Sequence, residues 1–287
     1  MGQRLLTVCL TVVALAVSPS SVSQAADGVG EYVALGDSYT SGSFIPVQLD
    51  RPLGCERSDR NYPSLVVAAL RPAVFRDVSC GGATTGNLTQ PQRVRGDGVN
   101  PPQLEALTAR TDLITLGIGA NDIGFADIVG SCTTRSVTRP LGAACRDYYH
   151  RGGGDELGAR VDSAAPRVAA ALRAVRDRAP KAKVLVIGYP AIVSDAGLGC
   201  LPLSPGDAGY LSRTFGRLNA MLAEQAREAG VGFVDTASGS AGHDACQPPG
   251  VRWVEGAVAT TPAAPWHPNA AGMRHVAERV LSALRAG

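Results

Sequence analysis

Tyr32-Val33-Ala34-Leu35-Gly36-Asp37-Ser38 runs from four mostly apolar residues straight into a glycine, a carboxylate and a hydroxyl. A short apolar run without polar alternation predicts a strand buried on both faces, as in a parallel sheet covered by helices. Four further runs have this character: Val74–Val78, Leu113–Ile118, Val184–Ile187 and Val231–Val234. Between and after them lie helical patterns at Tyr62–Leu70, Pro102–Ala109, Leu157–Arg178, Tyr210–Glu228 and Ala270–Leu284. Strand alternating with helix predicts an α/β fold with a five-stranded parallel sheet. Pro63-Ser64 and Ser204-Pro205-Gly206-Asp207 carry helix-start signals, and Gly230 follows a helix end. The Gly-, Pro- or Arg-rich stretches 43–61, 91–100, 130–155 and 194–206 are expected to be irregular surface loops.

In an open parallel sheet, working groups gather beyond the carboxyl ends of the strands. The residues leaving the first three runs are Gly36-Asp37-Ser38, Cys80-Gly81-Gly82 and Gly119-Ala120-Asn121-Asp122. They hold a hydroxyl nucleophile, a glycine N–H that no side chain shields, and a side-chain amide with two donors. Acyl transfer needs such groups, together with a base, to stabilise the negative oxygen of a tetrahedral intermediate. Singly, each is bland: a Gly-Asp-Ser sequence is most often only a turn, and an asparagine after Gly-Ala is usually a loop amide. Three at the ends of three successive strands are harder to obtain by chance. Asp37 is expected to serve the turn and Asp122 to cap the segment after the third strand. Gly117 and Gly119 make no dinucleotide fingerprint, because the third glycine position is Asp122.

The chain has 4 histidines. His267, in Pro265-Trp266-His267-Pro268-Asn269 just before the last helical pattern, is placed to fold back over the sheet edge and is the best candidate base. His243-Asp244, after the fifth run, is its rival. His150 and His275 are expected to be solvated.

Composition bounds the rest. At 287 residues, 45% hydrophobic and 18% charged, the chain reads as one globular unit. A net charge of +2 without a polybasic stripe argues against a nucleic-acid partner. Arg4, the apolar run Leu5–Val17 and Ser23-Gln24-Ala25-Ala26 have the layout of a secretory signal peptide over residues 1–26, leaving a single domain over 27–287. That run, about 13 residues, is short of the roughly 20 a spanning helix needs, so export without stable membrane insertion is expected. Cys9 leaves with the leader, and Cys55, Cys80, Cys132, Cys145, Cys200 and Cys246 remain. An even number in an exported chain reads as disulfides. Six cysteines allow 15 pairings, of which pairing neighbours in order is the simplest, since Cys132 and Cys145 bracket one loop. No Cys-x-x-Cys pair occurs and no metal site is expected.

These motifs resemble those of the SGNH (GDSL) hydrolase family, most closely its secreted bacterial lipases and esterases with three disulfides. Gly36-Asp37-Ser38-Tyr39-Thr40-Ser41-Gly42 is similar to the family's first block, Cys80-Gly81-Gly82-Ala83-Thr84-Thr85 to the second, Gly119-Ala120-Asn121-Asp122 to the third and His267-Pro268-Asn269 to the fifth. The resemblance implies a three-layer α/β/α sandwich of flavodoxin-like type. It also implies Ser38 as nucleophile, His267 as base, and an oxyanion hole from the Ser38 and Gly82 N–H groups and the Asn121 amide. Consecutive cysteine pairing is implied as well.

One departure stands out. Many family members carry an aspartate three residues before the histidine, where this chain has Ala264. Some relatives use a main-chain carbonyl instead, so Ala264 or Pro265 is expected to orient His267, giving a Ser-His dyad with Asp244 as the weaker candidate for a third member. The expected substrate is a small-molecule or lipid ester carrying a fatty-acyl group. Phe44, Ile45, Phe125, Ile128 and Val129 are candidates for an acyl groove, or else pack the loops. Phospholipid acyl hydrolysis is the nearest alternative; polysaccharide deacetylation and a non-catalytic binding domain stand further off. The Gly-x-Ser-x-Gly elbow of an α/β-hydrolase does not occur. No cofactor is expected, and the chain is expected to act as a monomer.

Overall fold

The computed structural model describes residue 2 and residues 28–49, 51–195 and 200–286. Apart from residue 2, the leader expected at 1–26 lies outside the described residues. In chain order the elements are β1 (Glu31–Gly36), the single turn α1 (Ser38–Ser41), α2 (Tyr62–Leu70), β2 (Val74–Asp77), the ribbon strands β3 (Gln92–Arg93) and β4 (Val99–Asn100), and β5 (Leu113–Gly117). There follow α3 (Phe125–Thr138), α4 (Ala144–Tyr149), α5 (Glu156–Arg178), β6 (Lys183–Ile187), α6 (Pro205–Glu228), β7 (Gly232–Val234) and α7 (Ala270–Ala286).

Five strands form one parallel sheet in the order β2-β1-β5-β6-β7. Alternate side chains enter two separate cores, as the period-two geometry of a strand requires. Val33, Leu35, Ile114, Leu116 and Val186 pack with residues of α5 and α6 such as Leu172, Leu218 and Leu222. Tyr32, Ala34, Leu185 and Ile187 pack with Val66 of α2 and Met273 and Val276 of α7. The result is a three-layer α/β/α sandwich.

β1 and β5 are buried along their whole length, but the outer strands β2 and β7 are largely half-exposed. Burial on both faces, expected of all five, holds for the inner three because only they have a neighbour on each side.

Three other expectations are corrected. Pro102–Ala109 is a single 3-10 turn over Gln103–Ala106, not a helix, and Leu107 is already extended. The cause is Gln103, whose buried amide donates to the Gly36 carbonyl at 2.9 Å and accepts the Gly36 N–H at 2.8 Å. The stretch 130–155 carries most of α3 and all of α4. In α3, Phe125, Ile128, Val129, Cys132 and Ser136 repeat at helical spacing and are buried. α6 begins at Pro205, a turn earlier than Tyr210, because Ser204 caps it by accepting the Asp207 N–H and Pro205 occupies its first position.

Disulfides join Cys55 to Cys80, Cys132 to Cys145 and Cys200 to Cys246. The first ties the 43–61 loop to the exit of β2. The second ties α3 to α4.

Candidate active site

The β1–β5 register sets Gly36 beside Gly117, so the exits of the two central strands lie side by side. The chain then breaks sharply out of β1: the Asp37 N–H still donates to the Gly117 carbonyl at 2.9 Å, and Ser38 opens α1. Only glycine fits before this break. A Cβ on Gly36 would lie 2.2 Å from Thr40 Oγ1 and 2.6 Å from the Gly117 carbonyl.

Asp37 caps α1. Its Oδ1 accepts the Tyr39 N–H at 2.9 Å and its Oδ2 accepts the Tyr189 hydroxyl at 2.6 Å. Burial pushes its pKa up to about 7 against the opposing pull of those two donors. Both oxygens are thus committed to the turn and to Tyr189 just beyond β6, and neither bonds the Ser38 hydroxyl.

His267 Nε2 lies 2.8 Å from Ser38 Oγ, and its Nδ1 lies 2.7 Å from the Pro265 carbonyl. The carbonyl can only accept, so Nδ1 carries the proton and Nε2 presents its lone pair to the serine hydroxyl. Of the two expected orienting carbonyls only Pro265 serves the ring. The Ala264 carbonyl accepts the His267 backbone N–H at 3.1 Å instead. The imidazole packs on Tyr39 and Phe125, with ring centroids 4.8 and 5.8 Å away. Burial between them lowers its pKa to about 4, partly offset by the Pro265 carbonyl. The ring is therefore neutral at physiological pH, as a base must be.

Gly82 and Asn121 line the same cleft as Ser38 and His267, with a volume of ≈ 620 Å³. Asn121 spends one amide hydrogen on the Ala83 carbonyl at 2.9 Å, which leaves its second free. Phe44 and Phe125 also line this cleft, whereas Ile45, Ile128 and Val129 are buried in the cores. The latter three therefore pack loops and helix and form no groove. Asp122 does not cap the segment after β5: it accepts the N–H and hydroxyl of Thr85, which opens a 3-10 turn, at 3.0 and 2.5 Å, and pairs with Arg167.

The remaining candidates lie apart from the cleft. Asp244 Oδ1 accepts the Ser194 hydroxyl and the Cys246 N–H, each at 2.9 Å, and Oδ2 takes Gln247 Nε2 at 3.2 Å. His243 stacks on Trp253, centroids 3.8 Å apart, and bonds the Val251 carbonyl. His150 is exposed as expected, but His275 is buried against the Thr236 carbonyl.

Several residues that shape this site were not singled out in the sequence. Tyr189 leaves the fourth strand just after Gly188, so the strand-exit rule extended to that strand would have found it. Its hydroxyl donates to Asp37 and accepts the Ala120 N–H at 2.9 Å, linking the serine turn to the residue before Asn121. Tyr39 bonds the Trp266 carbonyl through its hydroxyl. Gln92 bonds the Gly81 carbonyl and Gln103 the Gly36 backbone, and no local pattern marks either. Among the described residues no group of three or more His, Cys, Asp or Glu side chains could hold a metal ion, and no helix is long and apolar enough to cross a membrane.

Comparison with known proteins places the chain among ester hydrolases. The profile described as the GDSL-like Lipase/Acylhydrolase family matches residues 34–275. The chain is 40% identical over 260 residues to Lipase 2 of Streptomyces coelicolor, covering 88% of this chain and 85% of that protein. It superposes on the crystal structure of phospholipase A1 from Streptomyces albidoflavus with a TM-score of 0.70 at 29% identity, covering 90% of this chain and 99% of the other. An extracellular lipase from Streptomyces rimosus gives 0.68 at 28% identity, with the same two coverages.

Proposed function

This chain belongs to the GDSL-like lipase/acylhydrolase family, an ester-cleaving hydrolase of the lipase/esterase type, and we propose that it cleaves fatty-acyl esters through a Ser38–His267 dyad. Ser38 Oγ attacks the ester carbonyl as His267 Nε2 takes its proton. The oxyanion is held by the N–H groups of Ser38 and Gly82 and the free hydrogen of the Asn121 amide. His267 then returns the proton to the departing alcohol, leaving an acyl-serine. Water attacks that ester with its proton taken by His267, and collapse releases the acid and restores Ser38.

The observation carrying this reading is the 2.8 Å contact between Ser38 Oγ and His267 Nε2, with Nδ1 held by Pro265. A fluorophosphonate probe is expected to label Ser38. Ser38→Ala and His267→Ala should each abolish turnover without unfolding the protein, and Asn121→Ala should lower kcat about 100- to 1000-fold. Labelling at another residue, or turnover surviving in Ser38→Ala, would refute the assignment. Export from the cell is part of the proposal, supported by three disulfides, which persist in oxidising compartments.

One observation favours a phospholipid as a second reading of the substrate. Arg93 and Arg95 line the cleft beside Ser38, and among the described residues neither makes an ion pair. Two guanidiniums lining one cleft suit a phosphate, which each can meet with paired N–H donors. A panel of acyl esters of increasing length, run beside a phospholipid, separates the two readings.

A further inference from the structure

We infer that Gln92 sets the oxyanion hole, as a positioning residue that fixes which way the Gly81–Gly82 peptide faces. The inference rests on the acyl-transfer reading above. Cys80–Ala83 is a tight turn, closed by the Ala83 N–H donating to the Cys80 carbonyl at 3.0 Å. Gly82 at its third position has φ 76°, the left-handed value a type II turn requires there. Type I and type II turns differ chiefly by reversal of the central peptide, which here is Gly81–Gly82. With glycine at both central positions, local sterics leave that choice open.

The choice decides the chemistry. In a planar trans peptide the C=O and the following N–H point in opposite directions, so the direction of the Gly81 carbonyl dictates that of the Gly82 N–H. Gln92 Nε2 donates to the Gly81 carbonyl at 2.7 Å. That bond holds the carbonyl toward the β3–β4 ribbon and turns the Gly82 N–H away from it. Among the described residues this N–H has no acceptor, and Gly82 lines the cleft with Ser38, Asn121 and His267. A reversed peptide would present a carbonyl oxygen in place of the donor and repel the developing oxyanion.

The anchor is itself rigid. Gln92 pairs with Asn100 across the ribbon, and the Asn100 side chain bonds the Val78 carbonyl and the Arg57 guanidinium at 3.2 and 2.9 Å. On the other side, the Gly81 N–H donates to the carbonyl of Cys55, which is bridged to Cys80. Gln92 is not there for its own burial. Its Oε1 is buried with no partner among the described residues, a cost that an apolar side chain of the same length would avoid. The amide is retained for what its nitrogen does.

The test compares wild type, Gln92→Leu and Gln92→Glu on a soluble short-chain p-nitrophenyl ester. Leucine fills the space without a donor; glutamate keeps the shape, but as a carboxylate it accepts and cannot donate. Both variants should lose about 10- to 100-fold in kcat, less than the full removal of an oxyanion donor, with KM within about threefold. Affinity for an alkylboronic acid, which forms a tetrahedral serine adduct, should fall by a matching factor while the melting temperature holds. Unchanged kcat, or a change confined to KM, would overturn the inference. Loss of folding in both variants would also overturn it, by making Gln92 structural. Absence of ester cleavage by folded wild type sinks the acyl-transfer reading and this inference together, whereas full activity in the variants sinks this inference alone.

Discussion

The Tyr39 hydroxyl donates to the carbonyl of Trp266, so the residue after the nucleophile holds the residue before the base. Two stretches separated by most of the chain are fastened together by that bond. Trp266 adopts φ 63°, an unfavourable conformation for a bulky residue, and the bond helps to keep it there.

Tyr39→Phe keeps the ring that packs on His267 and deletes only this bond. Since a net hydrogen bond contributes about 0.5–1.5 kcal/mol, kcat is expected to fall about 3- to 10-fold with KM nearly unchanged. Wild-type kinetics in Tyr39→Phe would show that packing alone holds the histidine loop.

The lowered His267 pKa sets the acid limb of activity. Only the neutral ring can accept the serine proton, so kcat/KM should stay high as pH falls below 6.5 and reach half its plateau near pH 4. The same shift acts on stability: between pH 6.5 and 4 the unfolded chain binds a proton that the folded one refuses. This contribution is therefore complete above pH 6.5 and is lost as pH falls toward 4. Phe125→Ala, which admits water to the ring, should move the limb upward toward 6.5. A wild-type limb already near 6.5 would contradict the desolvation of the His267 ring by its packing on Tyr39 and Phe125.

Asp244 is committed to Ser194, Cys246 and Gln247. Asp244→Ala is expected to keep turnover within about tenfold and to lower stability by about 1–3 kcal/mol, because two or more donors lose their acceptor. A thousandfold loss of kcat in a folded variant would restore Asp244 to the catalytic machinery.

The disulfides should separate by function. Cys55→Ser with Cys80→Ser removes a bridge spanning 25 residues, worth about 3–4 kcal/mol by chain entropy, and also loosens the turn that carries Gly82. It should lower both the melting temperature and kcat. Cys132→Ser with Cys145→Ser, in the α3–α4 hairpin, should lower the melting temperature alone. Equal effects of the two pairs on kcat, measured well below either melting point, would argue against a special place for the first.

That Ser38, Gly82 and Asn121 share one cleft with His267 is legible because a parallel sheet gathers the residues leaving its strands at one edge. The parallel sheet is legible for a related reason: the inner strands, enclosed by neighbours and helices, read as unbroken apolar runs, while the three-layer arrangement comes from the family resemblance. What escaped the sequence shares a different physics. Gln92, Gln103 and Tyr189 act on backbone groups 11, 67 and 69 residues distant, and a peptide carbonyl or N–H carries no side-chain signature of its partner. The helix α3 escapes because the Gly and Arg content of 130–155 reads as a loop, while the decisive spacing from Phe125 to Ser136 begins five residues before that stretch. Pro102–Ala109 failed in the opposite sense: a favourable local pattern yielded to one long-range contact from Gln103 to Gly36.

The acceptor that steadies the imidazole is a peptide oxygen, and every amino acid brings one. Exchanging residue 265 alters what hangs from the chain and leaves that oxygen in place, so a scan by point substitution is blind to the third component of this site. A shortened or lengthened path between Ala264 and His267 would displace it, as would replacing the amide between 265 and 266 with an ester, whose carbonyl accepts more weakly.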